Sequence, residues 1–138
     1  MRPRVLLVDD VADLRFLLRV VLEADGSFEV VGEAGDGETA LELAQRTSPD
    51  VVVLDLSMPN MDGLEALPRL REAAPEAKIV VLSAFERGKV SSSAADLGAD
   101  AYFEKGTPPP AVLDSLKELL GVETPEDDEV GVEVVSGE

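Results

Sequence analysis

The 138-residue chain contains no cysteine and no histidine. Those absences exclude a disulfide framework, thiolate or imidazole metal ligands, a cysteine nucleophile, and any Ser-His-Asp or Cys-His pair. The chemistry left to the chain is that of carboxylates, hydroxyls, lysine and backbone. Basic residues are scarce: 12 Lys and Arg face 29 Asp and Glu, a net charge of −17. Such a balance repels nucleic-acid phosphates and anionic membrane surfaces, so direct binding to either is not expected. Long hydrophobic runs are missing too, and none approaches the roughly 20 residues a membrane-spanning helix needs. The N-terminal stretch Val5 to Val8 is cut short by two aspartates, which leaves neither the apolar region nor the cleavage site of a signal peptide. A cytoplasmic location is the resulting expectation.

What is present is sufficient for one folded unit. Hydrophobic residues make up 45% and charged residues 30% of the chain, values that support a real core in a domain of ordinary size. The charge is uneven. Residues 1–120 hold all twelve bases and 22 acids, a net of −10, whereas 121–138 hold seven acids and no base. A boundary near Gly121 follows, with a domain over 1–120 and an acidic tail over 121–138 read as solvated and disordered. In that tail the alternation of Val130, Val132 and Val134 would alternatively suit a short strand added to a sheet edge.

Before the boundary, apolar runs of strand length alternate with helical patterns. The runs are Val5 to Val8, Phe28 to Val31, Val51 to Leu54, Ile79 to Leu82 and Ala101 to Phe103. VLLV, VVVL and IVVL are apolar at every position, as strands covered on both faces must be. Between the runs, Leu14, Leu17, Leu18, Val21 and Leu22 mark a first helix, Ala40, Leu41 and Ala44 a second, and Leu64, Leu67 and Leu70 a third. Val90, Ala94 and Leu97 mark a fourth, weakened by Ser91, Ser92 and Ser93 and ended by Gly98. A fifth carries Leu113, Leu116, Leu119 and Leu120, with Thr107 as its expected cap and Pro108 at its first position. Five strand-helix units with right-handed crossovers predict an α/β, flavodoxin-like doubly wound fold: a five-stranded parallel sheet of order 2-1-3-4-5 flanked by five helices. In that topology ligands bind at the carboxyl ends of strands 1 and 3, where the order reverses.

Asp9 and Asp10 follow strand 1, and Asp55 follows the apolar run of strand 3. Three carboxylates converging there repel unless a cation joins them, and an oxygen-only set favours Mg²⁺. Alone, Asp10 could cap a helix and Asp55 could simply end a strand; their joint placement at the switch point argues for a site. Ser83 ends strand 4 and Lys105 follows strand 5, adding a hydroxyl and an ammonium at the same sheet end. Carboxylates, a divalent cation, a hydroxyl and an ammonium are the parts that transfer and hold a phosphoryl group.

VLLVDD, VVVLDLSMPNMDG, IVVLSA and AYFEKG, in this order, resemble the receiver domain of two-component response regulators, and the resemblance covers residues 4–120. It implies that Asp55 is the phosphoacceptor, that Asp9 and Asp10 form the acidic pair, and that Ser57 supplies a main-chain carbonyl to the metal. It also implies that Ser83 is a switch hydroxyl, Tyr102 a switch aromatic and Lys105 the phosphate-binding lysine. The phosphodonor would be a histidine kinase or a histidine phosphotransfer protein. Output would pass to a downstream protein partner through the face of helix 4, strand 5 and helix 5, with a homodimer through helices 4 and 5 as a further option. Pro59 and Gly63 would stiffen and shape the loop after Asp55, and Phe85 would restrict water at its mouth. The sequence departs from the family pattern at Gly106, where many members carry a cis proline, so a trans bond is expected there.

Two other readings compete. A Mg²⁺-dependent phosphatase of haloacid-dehalogenase type also uses an aspartate nucleophile, but it places a second aspartate where this chain has Ser57. A constitutive scaffold would keep the fold without needing Asp9, Asp10, Asp55, Ser83 and Lys105 together. The chain is accordingly read as no enzyme in its own right beyond self-phosphorylation and self-dephosphorylation.

Overall fold

Alternation within the all-apolar strands feeds two core layers at once. In a computed structural model that describes residues 2–55, 63–83, 98–104 and 107–122, the strands are β1 (Arg4–Val8), β2 (Glu29–Ala34), β3 (Val51–Asp55), β4 (Lys78–Ser83) and β5 (Ala101–Glu104). The helices among the described residues are α1 (Ala12–Asp25), α2 (Gly37–Thr47), α3 (Gly63–Ala73) and α4 (Pro109–Leu120), the last being the fifth expected from the sequence. The strands pair in parallel in the order β2-β1-β3-β4-β5, the flavodoxin-like arrangement expected. Successive side chains on a strand point to opposite faces. Leu6, Val8, Val52, Leu54, Ile79 and Val81 therefore pack with Ala40, Ala44, Leu67 and Leu70 of α2 and α3. Val5, Leu7, Val51, Val53, Val80 and Leu82 pack on the other face with Leu18, Leu22, Val112, Leu113 and Leu116 of α1 and α4. Each fully buried Leu or Val side chain contributes about 1.5–3 kcal/mol, which is why these runs tolerate no polar residue.

Several boundaries differ from the sequence expectation. β2 runs on to Ala34, and its ladder with β1 slips by one residue where Val5 faces Val30 and Leu6 faces Gly32. A Cβ at Gly32 would lie 3.2 Å from Leu6 Cδ1, so the absent side chain admits that neighbour. Thr107 does not cap α4. Its hydroxyl and its N–H both bond the carbonyl of Glu104, and Pro108 occupies the cap with no side-chain hydrogen bond. Pro109 and Pro110, the first two helical residues, offer no N–H to a cap, and the Ala111 N–H bonds the carbonyl of Pro108 at 2.9 Å. Leu17, expected on the core face of α1, is half-exposed. α3 contains Pro68 in its interior, where the ring forfeits one helical hydrogen bond; the buried Ala66, Leu67 and Leu70 override that local cost.

Gly98 has φ +115, a conformation that glycine adopts readily; the helix it was expected to end lies outside the described residues. The fourth expected helix, Ser57, Pro59, Phe85, Lys105, Gly106 and the tail over 123–138 lie outside the described residues. Among the described residues no helix is long and apolar enough to cross a membrane.

Candidate metal centre

β1 and β3 are the adjacent strands at which the sheet order reverses, and their register pairs Val8 with Leu54. The next residue on each is an aspartate. Neighbouring strands stand about 4.8 Å apart, so Asp9 and Asp55 emerge side by side. Both are buried, at 3% and 1% exposure, while Asp10 is exposed. One carboxylate oxygen from each of the three lies within 4.8 Å of the other two. Burying anionic groups this close costs free energy that a positive charge must offset. The all-oxygen donor set fits a hard divalent cation such as Mg²⁺, which takes a few carboxylates and keeps waters.

Local structure shapes the cluster. The cap of α1 is Val11, with no side-chain cap bond, so Asp10 does not serve as a helix cap. Asp9 Oδ1 instead accepts from the N–H of Val11 at 2.9 Å, and the Asp9 N–H donates to the carbonyl of Ala34 at 3.0 Å. Arg15 of α1 donates from Nη1 to the carbonyl oxygen of Asp9. Its Nε bonds Glu33 Oε1 at 3.0 Å, and the second oxygen of Glu33 takes a contact from Arg19. Nothing in the spacing of Arg15 distinguishes it from a surface base, which is why sequence reading passes over it.

Of the other site candidates, Ser83 and Tyr102 lie on the described strands β4 and β5. Asp55 pairs in register with Leu82, so Ser83 begins one step further along the adjoining strand. Ser83 in turn faces Glu104, the residue directly before Lys105. Tyr102 faces Val81 and packs on the α2 and α3 layer. Its strand lies two strands, about 10 Å, from β3.

Two carboxyls away from the centre are held below their ordinary range. Burial pushes Asp25 upward, but hydrogen bonds from Lys117 and Ser27 and the Lys117 charge outweigh it. Asp36, the cap of α2, is lowered chiefly by the backbone N–H of Thr39, which its Oδ1 accepts at 2.8 Å.

Beside the carboxylates, a cleft of about 160 Å³ is lined by Asp9, Leu14, Leu17, Leu18, Leu82, Pro108 and Pro109. It continues onto the outer face of α1, where Phe16, Leu17 and Val20 are 54%, 48% and 46% exposed. Sequence reading misses this surface, although α1 holds more apolar residues than one buried face requires.

The chain is similar to known proteins over most of its length. Residues 5–117 match the family model described as the response regulator receiver domain. A protein-glutamate methylesterase/protein-glutamine glutaminase of Azospirillum brasilense is 45% identical over 106 residues, covering 75% of this chain and 27% of that protein. The chemotaxis protein CheY of Thermotoga maritima is 35% identical over 119 residues, covering 86% and 98%. The solved REC domain of AraT, a response regulator from Geobacillus stearothermophilus, superposes with a TM-score of 0.76 at 38% identity, covering 88% and 97%. The chain thus spans about a quarter of the first relative's length and nearly all of the second's.

Proposed function

The chain belongs to the response regulator receiver family, and from that membership we propose that Asp55 is its phosphoacceptor, served by a Mg²⁺ site on Asp9, Asp10, Asp55 and the main-chain carbonyl of Ser57. The observation that carries this reading is the approach of three carboxylate oxygens to within 4.8 Å at the switch point, on two buried residues and one exposed one. An Asp55 oxygen attacks the phosphorus of a phosphohistidine whose other ring nitrogen is protonated; the P–N bond breaks with its electron pair going to the ring, which leaves as neutral imidazole, and an acyl phosphate remains. Bound Mg²⁺ supplies charge neutralisation for the oxygens on phosphorus. Lys105 holds the phosphoryl oxygens as an ammonium, and Ser83 donates its hydroxyl to them. Phosphorylation adds about one negative charge to the centre, and that change biases Ser83, Tyr102 and the face of the fourth expected helix, β5 and α4 that a downstream partner reads. Hydrolysis returns the free carboxylate, so the chain turns over no separate substrate. The receiver unit closes at the end of α4, and the acidic tail from Gly121 lies outside it. A cytoplasmic site of action belongs to the same reading.

The phosphodonor is a histidine kinase or a histidine phosphotransfer protein. The apolar outer face of α1, continuous with the cleft beside Asp9, supports docking of that protein here, since exposed apolar surface next to a reaction centre marks an interaction site. Intact-mass spectrometry after incubation with acetyl phosphate and Mg²⁺ tests the core of this reading. One phosphoryl adduct that needs Mg²⁺ and is absent from Asp55→Ala is expected. A folded protein that takes up neither phosphoryl group nor Mg²⁺ would be the constitutive scaffold instead.

A further inference from the structure

We infer that Arg15 is a positioning residue for the metal centre, acting through the main chain of Asp9 to set where the exposed carboxylate of Asp10 stands. This rests on the Mg²⁺ reading above and assigns a role outside the ligand set. The Asp9 carbonyl belongs to the peptide plane that links Asp9 to Asp10, so whatever holds that oxygen fixes how Asp10 leaves the end of β1. Arg15 holds it from Nη1. The Asp9 N–H on the carbonyl of Ala34 and the Val11 N–H on Asp9 Oδ1 orient Asp9 itself. Arg15 is well placed for the task, because its side chain is only 19% exposed and its Nε is held by Glu33 of β2. Arg19 engages the other oxygen of Glu33, which fixes that carboxylate in turn. A planar guanidinium can serve both acceptors in one fixed geometry.

Charge alone predicts the opposite effect. Arg15, Arg19 and Glu33 together carry one net positive charge, and a guanidinium beside a cation site opposes cation binding. Removing Arg15 should therefore raise Mg²⁺ affinity if its role is electrostatic and lower it if its role is positional.

The test is calorimetric titration of the full chain with Mg²⁺ alone, on the wild type, Arg15→Gln, Arg15→Met and Arg19→Gln. Expected is about a tenfold loss of affinity in both Arg15 variants, the usual range for groups that support a metal ligand from behind. That loss should persist at 0.5 M salt, where a charge effect is screened. Arg19→Gln, which loses a contact to the same Glu33, should stay within about twofold. Unchanged or increased affinity in the Arg15 variants overturns the inference, as does an equal loss in Arg19→Gln. Melting without metal confirms that each variant is folded, and a lowered melting point with wild-type Mg²⁺ affinity would assign Arg15 a merely structural role. A folded wild type that binds no Mg²⁺ overturns the metal centre itself and this inference with it.

Discussion

The carboxylate cluster should make the metal-free protein less stable than a variant that lacks one of its charges. Asp10→Asn tests this with least disturbance, since Asp10 is exposed and caps no helix. At the 4.8 Å limit of the cluster, a pair of unit charges repels by about 0.9 kcal/mol in a water-like dielectric, the appropriate one for an exposed group. Asp10 forms two such pairs, so neutralising it relieves about 1.7 kcal/mol at low ionic strength, reduced to roughly 1 kcal/mol at physiological salt. For a domain of this size the low-salt figure corresponds to a rise in Tm of roughly 5 °C.

The measurement is thermal unfolding followed by circular dichroism in EDTA, at low and at moderate salt, then repeated with Mg²⁺. Asp10→Asn should melt higher than the wild type in EDTA, and the gap should narrow as salt is added. Adding Mg²⁺ at 100 times its Kd stabilises the wild type by about 2.7 kcal/mol, more than the repulsion removed, so the order of the two proteins should invert. An Asp10→Asn variant that melts no higher than the wild type in EDTA, or that gains as much from Mg²⁺, would refute the reasoning.

Phe16→Asp should slow phosphorylation by a cognate kinase about tenfold while leaving uptake from acetyl phosphate and Tm unchanged, because the side chain is exposed and off the carboxylates; parallel phosphorylation assays with the two donors check it. Lys117→Met should destabilise by roughly 1–3 kcal/mol at pH 7, since it strips the 2.8 Å partner from a carboxylate that is only 15% exposed. The folded Asp25 pKa lies below its unfolded value, so the pair's stabilisation is fully present above about pH 4 and lost as pH falls through the depressed value. Urea titrations at pH 7 and pH 3 should show the gap between the two proteins shrinking at the lower pH. Asp36→Ala should cost about 1 kcal/mol and Asp36→Asn much less, because asparagine keeps an acceptor for the Thr39 N–H; urea unfolding separates them.

What the sequence makes legible here depends on how far apart the interacting parts lie. VLLV, VVVL and IVVL announce buried parallel strands because each run alone fills both core layers, and no distant residue alters that requirement. β2 is harder. Its pattern stops at Val31, yet the strand continues through Gly32 and Glu33, where the missing Cβ of Gly32 accommodates Leu6 and Glu33 finds Arg15 and Arg19 on α1. Neither contact is local. The start of α4 fails for another reason: Thr107 has the right residue type for a cap, but the three prolines after it lack the N–H groups that reward capping, and the hydroxyl turns to Glu104. Arg71 shows the same limit at longer range. It ties α3 to the carbonyls of Pro75, Ala77 and Gly98 and to the carboxylate of Asp100, a cluster spread over 30 positions of sequence.

The candidate site is the exception, a long-range constellation that can nevertheless be read in one dimension. Asp9 and Asp55 are 46 residues apart, and no local rule joins them. Three conditions acting together do. Both stand directly after an all-apolar run, the topology makes those two runs neighbours, and the parallel register sets Val8 against Leu54. Once the register is fixed, strand spacing alone brings the two carboxylates together, since parallel strands lie about 4.8 Å apart. Asp10 enters the cluster differently. It follows Asp9 off the end of the strand, and its direction depends on the peptide plane between them, whose oxygen Arg15 holds. The buried pair is thus specified by the sheet and the exposed third carboxylate by a side chain on α1. A substitution that shifts α1 should consequently weaken the metal site through Asp10 while leaving Asp9 and Asp55 where the strands put them.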